Sequence, residues 1–110
     1  MMTAFRFGSE MSAFNAVKTF CEEQRNPRSV KVCGIDHVVR KMQIAYKEVC
    51  DALTAHRNKI GCELGDYIIH NDLYLRRTLW ENMISCAKRV DKNEAGYLLS
   101  CMEANFNLNA

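Results

Sequence analysis

Proline occurs once in this 110-residue chain, at Pro27, and the five glycines are scattered along it. With a single proline, long stretches contain nothing that must stop a helix. Without clustered glycines there is no loop to cradle a phosphate, and neither a P-loop nor a Rossmann glycine pattern is written. G-x-S-x-G, H-E-x-x-H and paired-carboxylate motifs are missing as well. Nothing matches a nucleophile, base and orienting group, so the chain reads as non-enzymatic, with no catalytic residue and no cofactor. No apolar run approaches the roughly 20 residues of a membrane-spanning helix. The opening residues MMTAFRFGSEMSAF lack the basic start and apolar block of a secretory leader. A composition of 48% hydrophobic and 25% charged residues excludes the disordered and collagen-like classes.

Cysteine is plentiful but arranged for neither zinc nor redox chemistry. The six cysteines, Cys21, Cys33, Cys50, Cys62, Cys86 and Cys101, form no C-x-x-C pair. Four of them fall on apolar helix faces, where a thiol acts as a small hydrophobe. With no leader visible, the expectation is reduced thiols in an intracellular, cytoplasmic protein. Cys33 and Cys62 stand beside glycines in predicted loops. A C-x3-H run from Cys33 to His37 and a C-x5-H run from Cys50 to His56 suggest metal ligands. Helical spacing, however, turns Cys50 inward and His37 outward, so no metal site is expected. A Cys33/His37 nucleophile–base pair meets the same lack of an orienting group, and Asp36 opposes thiolate formation.

What the sequence does contain is apolar spacing at the helical period. Ser9 predicts the cap of a first helix reaching about Gln24, with Ala13, Phe14, Val17, Phe20 and Cys21 on one face. Pro27 ends that segment, and Val30–Val32 reads as extended. A second helix spans Ile35 or Asp36 to Asn58. It buries Ile35, Val38, Val39, Met42, Ala45, Tyr46, Val49, Cys50, Ala52 and Leu53, and leaves Ile44 as the lone apolar residue outside. A third lies between Asp66 and Val90, restarting at Asn71 or Asp72, with a wide stripe from Leu73 to Val90 that includes Leu75. Asp91 and Glu94 form a capping box for a last helix that buries Ala95, Leu98, Leu99, Met102 and Phe106. The prediction is one compact all-α domain over 1–110, of four or five helices and dimeric, with residues 1–8 as an arm and 107–110 as a frayed tail. Dimerisation is expected because short helical domains gain stability by pairing, usually about a two-fold axis.

Charge is unevenly distributed. Residues 25–59 carry eight basic against three acidic side chains, whereas the segments on either side are net acidic. This predicts a nucleic-acid-binding regulatory protein that grips RNA or DNA through its phosphates. Arg25, Arg28, Arg40, Lys41, Lys47 and Arg57 would contact phosphate, with Gln43 and Asn58 adding hydrogen bonds. The alternative is a helical adaptor or inhibitor that binds a protein partner through Ile44, Arg76, Trp80 and the apolar face of helix 72–90. Arg76 falls inside the apolar stripe of the third helix. It must therefore either find a carboxylate within the fold or anchor such an interface.

Overall fold

The computed structural model describes residues 7–25, 34–58, 64–89 and 95–106. They form four helices: α1 (Gly8–Arg25), α2 (Ile35–Arg57), α3 (Leu64–Arg89) and α4 (Ala95–Phe106). No strand occurs among the described residues, so the all-α expectation holds. Of the arm expected over 1–8, Gly8 already belongs to α1 and Phe7 packs against the core, while residues 1–6 lie outside the described residues, as do residues 30–32, Cys33, Cys62, the Asp91/Glu94 box and the tail.

The helix starts depart from expectation in two places. Ser9 does not cap α1. Phe7 occupies the cap position, its carbonyl accepting from the Met11 amide at 3.1 Å. Glu10, three residues on, reaches back to accept from the Phe7 amide at 3.0 Å, the return half of a capping box. Ser9, inside the first turn, donates its hydroxyl to the Glu48 carboxylate on α2. Nor does α3 restart at Asn71 or Asp72; it runs unbroken from Leu64, because Asp72 has a partner one turn ahead, Arg76 Nη1 at 2.9 Å, and is not needed as a cap. For α2 the expected boundaries hold to one residue. Gly34 precedes it with no side-chain cap, and its carbonyl accepts from the His37 and Val38 amides at 3.1 and 3.3 Å.

The periodic faces became the core. Val38, Met42, Ala45, Val49 and Leu53 of α2 are buried, and Val39, Tyr46 and Ala52 pack partly against them. Ala13, Phe14, Val17, Phe20 and Cys21 line α1 inwardly, and Ala95, Leu98, Met102 and Phe106 do so for α4. One cluster draws on all four helices. At its centre Phe14 stacks on Trp80 with centroids 5.1 Å apart, and Phe106 closes the group at 5.0 Å from Phe14 and 4.8 Å from Trp80. Such ring pairs contribute about 1 kcal/mol each beyond the area they bury. Near the far end of α1 the Cys21 thiol donates to the Ala95 carbonyl at 2.9 Å, tying α1 to the start of α4.

The molecule measures 55 × 25 × 21 Å, and its two longest helices, α2 and α3, lie side by side. They are antiparallel: His56 near the end of α2 faces His70 near the start of α3, and Tyr46 lies within electrostatic reach of Arg77 and Glu81. α1 begins beside Arg76, where Glu10 meets it. The opening turns of α3 therefore run past the start of α1. Ile69, which shares a helix side with the buried Leu73, Arg76 and Trp80, is left 48% exposed there. Among the described residues no helix is long and apolar enough to cross a membrane.

Candidate functional site

Two outward faces and one buried cluster carry the chemistry that the sequence singled out. The outward face of α2 displays Arg40, Gln43, Ile44, Lys47, Glu48, Asp51, Arg57 and Asn58, all exposed, with Lys41 half-buried at its edge. Ile44 is 53% exposed and stands alone there, as its spacing predicts. Lys47 Nζ lies 3.1 Å from Asp51 Oδ2, one turn ahead. Asp36 sits one turn before Arg40 on the same side. α2 therefore carries four basic against three acidic side chains, and its field is mixed rather than positive. Most of the basic excess of residues 25–59 belongs to Arg25, which closes α1, and to Arg28, Lys31 and Lys59, which lie outside the described residues. Arg40 and Arg57 remain exposed with no ion pair among the described residues.

Arg76 and Trp80, proposed from sequence as parts of a partner interface, are both interior. Arg76 is 2% exposed and Trp80 fully buried. The reason is Glu10. Its carboxylate, with no exposure at all, accepts from Arg76 Nε at 3.2 Å, from Arg76 Nη2, and from Trp80 Nε1 at 2.8 Å, besides the Phe7 amide. Asp72 Oδ2 takes Arg76 Nη1 at 2.9 Å, and the guanidinium stacks over the Phe7 ring at 5.2 Å from its centroid. Burial by itself lowers the pKa of a guanidinium, but the hydrogen bonds that it donates to Glu10 and then to Asp72 outweigh it and hold Arg76 above its ordinary value. This is the structural carboxylate pairing weighed for Arg76, not an anchor for a partner. Glu10 was not singled out, although it stands at i−3 and i−4 from Ala13 and Phe14, a core position of α1.

The outward face of α3 is the opposite of that of α2. Tyr67, Ile68, Asn71, Tyr74, Leu75, Thr78 and Asn82 fall within about a third of the helix circumference and run for about 24 Å. None is charged, in a chain in which a quarter of residues are. Tyr67, Ile68, Tyr74 and Leu75 are 45–49% exposed. Leu75, expected inside the stripe, thus lies outside it, because the buried side of α3 is centred on Asp72, Arg76, Trp80 and Met83, about a quarter-turn away. The strip is bordered by Arg77, whose guanidinium lies 4.9 Å from the Tyr74 ring centroid, and by Glu81. The missing signal in the sequence was the lack of charge at these seven positions, a subtler pattern than apolar periodicity.

His56 and His70 stack with ring centroids 6.2 Å apart, and the Nδ1 of each is buried without a hydrogen-bond partner among the described residues. No three His, Cys, Asp or Glu side chains converge on a common point among the described residues. Cys50 is half-buried and hydrogen-bonded to Tyr46, which is the leading cause of a raised phenol pKa there, while His37 is exposed. The two halves of the sequence's C-x5-H and C-x3-H runs therefore point apart. Cys50 and Cys101, both half-buried, carry free thiols. No protein-family model matches this chain, and no curated protein or solved structure matches it either.

Proposed function

We propose that this chain is a non-catalytic helical interaction module that presents the outward face of α3 to a protein. One observation carries the reading: a strip four turns long, free of charge and with four large apolar side chains nearly half exposed, on a helix whose opposite side packs into the core from Asp72 onward. Single exposed apolar residues are ordinary on any surface. A contiguous group rimmed by polar and charged positions marks a place where another molecule sits. Tyrosines suit that role, since each brings large contact area, few rotatable bonds and a hydroxyl for the wet rim. The partner class is protein rather than polyanion, because the strip offers no cation to a phosphate.

The test is site-specific photo-crosslinking in cells, with a photoreactive phenylalanine analogue at position 74 on α3 and, for comparison, at position 54 on α2. Discrete protein adducts from position 74 and none from position 54 are expected. Equal labelling from both, or none from position 74, defeats the reading.

The nucleic-acid reading survives as the second one, on Arg40 and Arg57 of α2, which are exposed and have no ion pair among the described residues. Its support is weaker, since Asp36, Asp51 and Glu48 interleave with the cations, and their repulsion of phosphates cancels much of the attraction.

A further inference from the structure

We infer that the molecule covering the α3 strip is a second copy of this chain, joined about a two-fold axis with the two α3 helices antiparallel. The inference rests on the protein-interaction reading and names its partner. Three features of the strip select a copy of itself.

The first is area. Tyr67, Ile68, Tyr74 and Leu75, each nearly half exposed, present roughly 400 Å² of surface per copy, taking aromatic and aliphatic side chains at ordinary sizes. Two copies, with Asn71, Thr78 and Asn82 added, bury about 1,000 Å², which is where specific interfaces begin. The second feature is charge. A foreign partner is usually steered and held in register by opposite charge, and this strip has none to offer. A two-fold axis sets the residues nearest it against their own copies, so a charge there would meet its own sign. A neutral strip is the kind of surface that tolerates this.

The third is register. An axis passing between Tyr74 and Leu75 sets each of these residues against the other in the second copy. The same axis puts Asn71 opposite Thr78 of the second copy, and Tyr67 opposite its Asn82. Apolar residues then meet at the centre, while side chains that both donate and accept hydrogen bonds meet one and two turns out. The flanking Arg77 and Glu81 lie outside the seam, of opposite sign and four residues apart. The arrangement is that of two long helices packed as a pair between two hairpins.

The experiment exploits the axis. The wild-type protein, Leu75→Lys, Leu75→Glu and the surface control Thr54→Glu are examined separately by sedimentation equilibrium at about 100 µM and below. An equimolar mixture of the two Leu75 variants is examined alongside. The wild type and Thr54→Glu are expected at twice the 12.7 kDa chain mass, and each Leu75 variant alone at the chain mass, with the dissociation constant raised at least about tenfold. Mixing the Lys and Glu variants restores the double mass, because opposite charges now meet near the axis. That rescue shows that both variants fold, and it has no counterpart if Leu75 faces a different protein.

A wild-type protein monomeric at about 100 µM overturns the self-pairing, as does a dimer that neither Leu75 variant weakens. If the wild type is monomeric while position 74 still crosslinks to a heavier unrelated protein, the copy is wrong and the interaction reading stands. If it is monomeric and position 74 crosslinks to nothing, both fall.

Discussion

The two sides of α3 reverse the usual arrangement of a surface helix. Inside, at Asp72 and Arg76, are opposite charges shut away from water; outside, at Tyr67, Ile68, Tyr74 and Leu75, are large apolar groups left in it. The inner charges are held because each finds a partner: Glu10 supplies acceptors to Arg76 and Trp80 together, and Asp72 closes the remaining guanidinium edge. The outer apolar groups stay nearly half exposed, with the Arg77 guanidinium beside the Tyr74 ring. A buried ion cluster specifies how helices meet at little net gain in stability, because desolvation offsets attraction. An exposed apolar strip specifies nothing until something covers it. The difference separates a part of α3 that sets the architecture from a part that is available for binding.

The comparison breaks most visibly at Glu10. Glu10→Ala leaves Arg76 with Asp72 but without the Glu10 acceptors, and removes them from Trp80 Nε1 and the Phe7 amide as well, so a loss of about 3–5 kcal/mol is expected in urea unfolding, with the far-UV helical signal retained in native buffer. A loss under about 1 kcal/mol would show that the cluster is not closed to water. Replacing the whole cluster sharpens the point. Glu10→Leu, Asp72→Ala and Arg76→Met combined should destabilise less than Glu10→Ala alone, because no unpaired charge remains in the interior. A triple variant less stable than the single one would mean that the ions contribute net stability here.

On the outer side, Leu75→Lys should change assembly and leave the fold intact. The wild-type melting temperature should rise with protein concentration, as mass action requires of an associating species, while that of the variant stays flat. The smallest effect belongs to α2. Lys47→Ala removes an exposed ion pair with lysine on the N-terminal side of its acid, the weaker orientation, so a change below about 0.5 kcal/mol is expected by thermal melts. Reversing Arg40 and Lys47 to glutamate should leave the sedimentation mass unchanged. In a gel-shift titration of duplex and single strands, retention that weakens steeply with salt and is lost in this double variant would reinstate α2 as a phosphate-binding face.

Much of the fold was legible in the residues. The stripe Val38, Met42, Ala45, Val49, Leu53 repeats at three and four, and α2 buries those five residues. Four of the five residues expected inside α4 are buried, with Leu99 half-buried at the edge, and Gly34 marked where α2 begins. What misled was local chemistry with more than one use. Ser9 has the side chain of a cap, but its hydroxyl bonds Glu48 from another helix, while the cap role passed to a phenylalanine backbone. Asp72 has the side chain of a helix start, yet it serves Arg76 in mid-helix. Leu75 counts as apolar in any periodic sum, but a helix packed on one side buries only part of a wide stripe.

The candidate site was the harder part to read. Counting charge along residues 25–59 found a basic excess but not its placement, and on α2 itself three acids stand among four bases. By itself the sequence determined that the chain forms helices, where most of them run and which faces of α2 and α4 turn inward, because those follow from spacing along a single helix. Only the tertiary structure decided which carboxylate receives Arg76, that Trp80 lies at the centre of the core, and that the tyrosines of α3 are left facing solvent. Those outcomes depend on residues distant in the chain, such as Glu10 and Arg76, meeting across a packed interface, and no local period encodes that meeting.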